Sequence, residues 1–195
     1  VMRSIADSER DKYRRVWELP DYYKNSPGLT NVERFRKLMC PSIGASLIDV
    51  GCGTGGAGLE LQDKGLSVWW LDITDAALDD KINRDRFIEL PLWSPRWRAW
   101  APIGKKWDYG FCCDVMEHMP PEYSLLALDR ILSACRICWF QIALFQDGFG
   151  DVIGERLHLT VRPFEWWRDA FKAIGAELIE ARHLLQNALY VAEYR

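Results

Sequence analysis

LIDVGCGTGGAGLEL, residues 47–61, places five glycines within eight positions directly behind an apolar run. The run at 46–50 reads as a strand and the residues through Gln62 can form a helix, so the glycines occupy a β-to-α turn. Missing side chains let such a turn be tight and bring backbone N–H groups at the helix N-terminus close to a ligand. Gly51, Gly53 and Gly56 satisfy G-x-G-x-x-G, a spacing that by itself does not separate NAD from other adenosine ligands. Asp72 ends the next predicted strand, 72 − 49 = 23 residues beyond Asp49. There a carboxylate can accept hydrogen bonds from both ribose hydroxyls. Asp49 tips the choice of ligand. Placed directly before Val50-Gly51, it would repel a pyrophosphate, but it can organise the loop and attract a cationic amino acid moiety.

Working outward, strand signals recur at 67–72, 87–90, 107–113 and 136–144, with helical spacing between several of them. Such alternation predicts a doubly wound α/β fold, because parallel strands need crossovers and these cover both faces of a sheet. Residues 163–174 read as a helix. The stretches AELIEARHLL and NALYVAEYR, separated by a short polar turn at Gln186-Asn187, read as a closing antiparallel hairpin. Before the glycine turn, a charged helix is expected at 8–18, a turn at Ser26-Pro27-Gly28 and a second helix at 31–39.

A chain of 195 residues, 49% hydrophobic and 27% charged, is long enough for one packed domain and too apolar for disorder. A net charge of -3 gives no general pull toward nucleic acid. The apolar runs are strand-length and broken by charges, and residues 1–20 lack the apolar core of a signal peptide; a cytoplasmic protein without a membrane partner is the expectation. Cys40, Cys52, Cys112, Cys113, Cys135 and Cys138 fall mostly in strand-like runs and read as free thiols. Cys135 and Cys138 have C-x-x-C spacing but lack a second Cys or His pair at zinc spacing.

The segment DVGCGTG resembles the first motif of the class I S-adenosylmethionine-dependent methyltransferases, an acidic residue, one apolar residue and G-x-G-x-G. Leu71-Asp72-Ile73 resembles the family's ribose-binding strand end, and YGFCCDVMEHMPPE its fourth-strand motif, often D-x-x-E-H. The likeness covers about residues 46–122, and SPG, FCCDVMEH and LHLTVRPFEWW are similar to small methyltransferase-like proteins of bacteria and phages. It implies a Rossmann-like, doubly wound seven-stranded sheet, mostly parallel with a C-terminal antiparallel hairpin. Residues 1–195 would then form one domain, with 1–45 as a helical cap and 46–195 as the core. The resemblance also implies S-adenosylmethionine as cofactor. Asp49, Gly51, Gly53 and Gly55 would serve its methionine and ribose side, Asp72 the ribose, and Ile73, Leu92 and Trp93 the adenine. Cys113 and Asp114 would lie beside the sulfonium. Pro91 stands where many members carry an Asp for the adenine amino group, and it offers no acceptor side chain.

Methyl transfer from a sulfonium needs proximity, orientation and sometimes a base. Asp114, Glu117 and His118 follow the fourth strand, at the edge where open α/β sheets bind ligands. His118 could take a proton from a hydroxyl or amine. Alternatively, Glu117, His118 and His158 could hold a divalent metal, an arrangement similar to the E-x-x-E-H set of some quinone-biosynthesis and small-RNA O-methyltransferases. In a third reading, Glu117 and His118 simply cap the turn near Pro120-Pro121. Glu117, His118 and His158 are accordingly the catalytic candidates, and His183 reads as structural.

The Trp- and Pro-rich stretch 91–107 reads as a long loop in which Trp93, Trp97, Trp100 and Trp107 alternate with Arg96, Arg98, Lys105 and Lys106. Such interleaving suits base stacking and phosphate contact, or a lid over substrate. The helix with Arg10, Lys12, Arg14 and Arg15 is a candidate second basic surface. The D/N-P-P-Y/F and Pro-Cys elements of the two common DNA-methylating chemistries are missing. The leading expectation is methylation of O or N on a small molecule or modified nucleotide. An NAD-dependent oxidoreductase and a catalytically inactive adenosine-ligand or nucleic-acid-binding accessory protein are the alternatives.

Overall fold

The computed structural model describes residues 4–24, 26–96 and 106–194. Three helices lead, α1 (Ile5–Trp17), α2 (Pro20–Lys24) and α3 (Pro27–Met39). They are followed by β1 (Ser46–Val50), α4 (Gly56–Asp63), β2 (Ser67–Asp72), β3 (Phe87–Glu89) and β4 (Trp107–Cys113). Then come α5 (Ser124–Ala134), β5 (Cys135–Ala143), the short α6 (Gly150–Ile153), α7 (Phe164–Ala173), β6 (Glu177–Leu184) and β7 (Asn187–Glu193). The strands form one seven-stranded sheet in the order β3-β2-β1-β4-β5-β7-β6. The first five are mutually parallel, and β7 runs antiparallel to both β5 and β6.

The closing hairpin has the expected sense, but its second strand inserts against β5 while its first lies at the sheet edge. Composition explains the order. Ala188 to Ala192 of β7 are buried on both faces, whereas β6 exposes Ile179, Ala181, Arg182 and His183. Charged side chains suit an edge, and continuous apolar runs suit an interior strand.

Alternate residues of each strand feed two cores, one on each face. Leu47, Phe111, Trp139 and Leu189 pack with Val32 and Phe35 of α3 and Ala57 and Leu61 of α4. Their neighbours Ile48, Cys112, Phe140 and Tyr190 pack with Leu128 and Ile131 of α5 and Trp167 and Phe171 of α7. The doubly wound seven-stranded fold read from the sequence is therefore the fold observed.

Three local readings change. Helix α3 begins at Pro27, where a turn was expected, because a proline is pre-shaped for the first helical position. Helix α1 starts at Ile5, capped by Ser4, whose hydroxyl accepts the Asp7 N–H at 3.1 Å. Trp107 belongs to the core and not to an aromatic, basic loop: it opens β4 beside Cys135 and is 2% exposed. All six cysteines are unpaired. Among the described residues no helix is long and apolar enough to cross a membrane.

Candidate active site

Strand order turns at β1, which has β2 on one side and β4 on the other. Loops leaving the carboxyl ends of such strands diverge and leave a crevice. Here the crevice is a cavity of about 350 Å³, walled by the segments after β1 to β5 and covered by residues of α1 and α2.

On the β1–β2 side, Gly51, Cys52, Gly53 and Thr54 line the cavity together with Asp49, Asp72 and Ile73. The Gly51 and Cys52 N–H groups donate to the Leu71 carbonyl at 2.8 and 3.0 Å, and the Gly53 N–H donates to Asp72 Oδ2 at 2.9 Å. Asp72 Oδ1 accepts the Thr74 N–H at 3.3 Å, and Asp49 Oδ2 accepts the Gly58 N–H of α4 at 3.0 Å. Burial pushes the Asp49 carboxyl up to about 7 and that of Asp72 to about 6, against the pull of these hydrogen bonds. Among the described residues neither carboxylate is ion-paired, so both favour a ligand that brings donors or positive charge.

The glycine loop is bare for a different reason than expected. Gly51, Gly53 and Gly55 all have positive φ, and a Cβ on each would strike protein: Val115 at 2.4 Å, Trp17 at 2.8 Å and Ile82 at 2.1 Å, respectively. Side chains from the segment after β4, from α1 and from the segment after β2 fill the space that a Cβ would need, while Gly51 and Gly53 still line the cavity. Gly55 does not line the cavity; it caps α4, and its carbonyl accepts Trp70 Nε1–H at 3.2 Å. Gly58, not singled out beforehand, is needed because a Cβ there would lie 2.2 Å from Trp70 Nε1 and 2.9 Å from Asp49 Oδ2.

Leu92, Trp93 and Pro91 line the cavity beyond β3, with Trp93 stacked on Tyr123 at 5.2 Å between ring centroids. Trp97, Arg98, Trp100 and Lys105 lie outside the described residues. Cys113 and Asp114 close the β4 end of the wall. Asp114 is in the left-handed region at φ 52°, where its N–H donates to the Gln141 carbonyl at 2.9 Å and its Oδ1 accepts Gln141 Nε2–H at 3.3 Å. Burial raises its carboxyl and pushes the Cys113 thiol well up, so the thiol stays neutral.

Beyond β4 and β5 the predicted catalytic residues come together. The Thr160 N–H donates to the Glu117 carbonyl at 2.8 Å and Thr160 Oγ1 to the Met119 carbonyl at 2.7 Å. These bonds pin the segment carrying His158 against the turn carrying Glu117 and His118. The two imidazoles meet edge to face at 4.5 Å, and ligand atoms of Glu117, His118 and His158 all lie within 4.8 Å of one another. His158 Nδ1 is 2.6 Å from the Phe145 carbonyl, which can only accept, so Nδ1 carries the proton and Nε2 the lone pair. His118 Nδ1 is shared between the Tyr13 hydroxyl at 2.7 Å and the Leu157 carbonyl at 3.2 Å. Burial, with His158 and Lys12 nearby, depresses His118 to about 3, which keeps its ring neutral. Both histidines line the cavity; Glu117 is wholly buried outside the lining set. Backbone N–H groups of Glu117 and Ala143 lie near enough to favour its charge, yet neither carboxylate oxygen has a hydrogen-bond partner. Burial and the neighbouring Asp114 push this carboxyl well above its usual range.

Sequence reasoning missed the aromatic cover made by Tyr13 and Trp17 of α1, Tyr22 of α2, and Phe145 and Phe149 beyond β5. Trp17 and Tyr22 meet edge to face at 4.7 Å, as do Tyr22 and Phe149 at 5.4 Å. The available signal was the i, i+4 pair Tyr13 and Trp17 on one helix face. The basic residues of α1 hold this cover in place. Arg10 Nε donates to the Ile73 carbonyl at 3.1 Å, Lys12 Nζ reaches Glu9 at 2.5 Å and the Arg156 carbonyl at 3.1 Å, Arg14 reaches Thr74, and Arg15 pairs with Glu155. The helix thus straps the cover in place, while Arg14 and Arg15 stay about half exposed on its outer face. His183 is exposed and stacks on Phe164 at 5.4 Å, away from the cavity lining.

Residues 48–137 match a family model described as a methyltransferase domain. No curated protein matches the chain by sequence. Many solved structures share the fold. The magnesium protoporphyrin IX methyltransferase of Synechocystis, with bound S-adenosylhomocysteine, is 17% identical, covers 97% of this chain and 95% of its own, and superposes with a TM-score of 0.64. The 1,6-didemethyltoxoflavin-N1-methyltransferase of Burkholderia thailandensis is 12% identical over 100% of this chain and 93% of its own, at 0.66. DhpI in complex with S-adenosylhomocysteine is 15% identical over 100% and 98%, at 0.69. Residues 48–137 thus match a methyltransferase domain, and the chain as a whole shares the fold of S-adenosylmethionine-dependent methyltransferases.

Proposed function

We propose that the protein transfers a methyl group from S-adenosylmethionine to an oxygen or nitrogen of a small molecule that offers an aromatic or apolar body. The observation that carries this reading is one cavity whose wall holds two buried carboxylates without ion-pair partners at the ends of β1 and β2 and two imidazoles beyond β4 and β5. When bound, the cofactor supplies an electrophilic methyl on a sulfonium. Asp72 would hold the ribose hydroxyls, since each of its oxygens accepts one backbone N–H and retains a free lone pair. Asp49 would attract the amino group, while Ile73, Leu92 and Trp93 would border the adenine. Pro91, in the same wall, leaves the adenine amino group without a side-chain acceptor at that position.

Tyr13, Trp17, Tyr22, Phe145 and Phe149 would exclude water from the acceptor and orient its body. The cluster of His118 and His158, with Glu117 behind it, would face the acceptor's hydroxyl or amine, and the lone pair at His158 Nε2 is free to hold its proton. Proximity and orientation supply the larger part of the acceleration, since the leaving group is already good. Asp49 favours this reading over NAD, as an ionised carboxylate beside the loop opposes a pyrophosphate. The N-terminal helices and the sheet act here as one methyltransferase-like unit, and the six unpaired thiols suit the reducing cytoplasm. A modified nucleotide remains within the acceptor class that the cavity admits.

The test is S-adenosylhomocysteine formation by the purified chain against panels of small phenols, enols, aromatic amines and nucleotides. Product with at least one class is expected. Saturable NAD binding without any binding of S-adenosylmethionine would replace this reading with an oxidoreductase.

A further inference from the structure

We propose that Glu117, His118 and His158 form a binding site for one divalent transition-metal ion of the zinc, cobalt, iron or manganese class, open toward the cavity. This rests on the methyltransferase reading and deepens it: with an ion bound, the His158 Nε2 lone pair serves the metal, and the ion in place of the imidazole promotes loss of the acceptor's proton to solvent, although the ion site itself stands on its own geometry.

Three observations carry it. The first is Glu117, fully buried, with neither carboxylate oxygen hydrogen-bonded. The nearby backbone N–H groups of Glu117 and Ala143 compensate an ionised carboxylate there only in part, and protonation does not cure the defect, because the acid O–H would then be an orphaned donor. A cation satisfies both oxygens.

The second is the state of the histidines. His158 Nδ1 donates to the Phe145 carbonyl at 2.6 Å, and His118 Nδ1 lies 3.2 Å from the Leu157 carbonyl and 2.7 Å from the Tyr13 hydroxyl. Metal-bound imidazoles characteristically give their second N–H to a backbone carbonyl or carboxylate, which fixes the tautomer and turns the other nitrogen to the ion. The third is convergence: one ligand atom from each residue lies within 4.8 Å of the others, although His158 is remote in sequence. Thr160, bonded to the Glu117 and Met119 carbonyls, locks the two segments in that arrangement.

Two imidazole nitrogens and one carboxylate suit borderline transition metals better than calcium or magnesium, which prefer oxygen-rich sites. A three-ligand set also leaves a position for an exogenous oxygen. His118 and His158 line the cavity, so that position is available to an acceptor hydroxyl, whose pKa a cation lowers.

The full-length chain, stripped with chelator, should be titrated with Co²⁺ alone and followed by its visible d–d absorption. One ion per chain is expected. Glu117→Gln and His158→Ala should each weaken binding by more than the roughly 10–100-fold typical of losing an outer-shell partner. S-adenosylhomocysteine titration of the metal-free protein reads the cofactor pocket separately, so failure of the metal proposal and failure of the methyltransferase reading are distinguishable. If either variant does not fold, proton NMR of the wild-type Co²⁺ form decides, with two imidazole N–H resonances expected outside the diamagnetic range. Absence of Co²⁺ binding by the wild type, unchanged binding in folded variants, or no shifted imidazole resonances would each overturn the site.

Discussion

Between Asp49 and Asp72 the cavity wall comes from one stretch of chain, and its polar geometry is mostly backbone: N–H groups of Gly51, Cys52, Gly53 and Gly58 meet the Leu71 carbonyl and the two carboxylates. Beyond β4 and β5, Tyr13, His118, Phe145 and His158 arrive from four separate segments, and side chains make the geometry. A wall made from backbone turns can be specified by short local motifs. A wall made from distant side chains exists only after the sheet has brought its loops together. The first kind suits a constant ligand and the second a variable one, which is how a common fold comes to carry many specificities.

The sharpest way to break this comparison is His158→Ala. If the second wall handles chemistry and the first handles cofactor, turnover should fall by about 10²–10⁴-fold, the usual weight of a positioned proton-handling group. Affinity for S-adenosylhomocysteine should stay within about twofold in the same calorimetric series. Parallel losses of turnover and cofactor affinity would show that the two walls are one functional unit.

A smaller effect sharpens the description of the first wall. Asp49 is held at about 7 by burial, so its carboxyl is protonated below that pH and ionised above it. A ligand with a protonated amino group favours the ionised form, and its affinity should therefore rise as pH rises through about 7 and weaken as pH falls. Between about pH 8 and about pH 6 the loss should approach tenfold, because below the transition binding must first remove one proton from this carboxyl. In Asp49→Asn the profile should flatten, as measured by titration with S-adenosylhomocysteine across that range. A wild-type profile already flat would place the amino group elsewhere.

The same contrast decides what was legible in the sequence. Strand positions 46–50, 67–72 and 107–113 read out correctly because an apolar run bounded by glycine, proline or charge is a local signal. Asp49 and Asp72 were legible because both fall at the carboxyl end of an apolar run, one residue before the end of β1 and at the end of β2, strands that pair in the sheet. The purpose of the glycines was not, since the side chains that crowd them, Val115, Trp17 and Ile82, come from remote segments. The edge position of β6 was likewise hidden, as a two-stranded hairpin motif does not state which strand faces the sheet. Glu117, His118 and His158 were individually visible as chemistry-bearing residues, but their convergence depends on Thr160 bonding across to the Glu117 and Met119 carbonyls. Tyr13, Trp17 and Tyr22 were read as part of a helical cap, and their role in the cavity depends on ion pairs and hydrogen bonds from α1 to Ile73, Glu155 and Arg156.

The central claim, that the Asp49–Asp72 wall binds an adenosine ligand of the S-adenosylmethionine type, is tested most directly by calorimetric titration of the wild type and Asp72→Ala with S-adenosylhomocysteine, with NAD as the competitor. The account predicts one saturable site in the wild type, weakened about 100-fold in the variant by loss of two hydrogen bonds to a charged group. Equal affinity in the two proteins, or saturation by NAD alone, would contradict it.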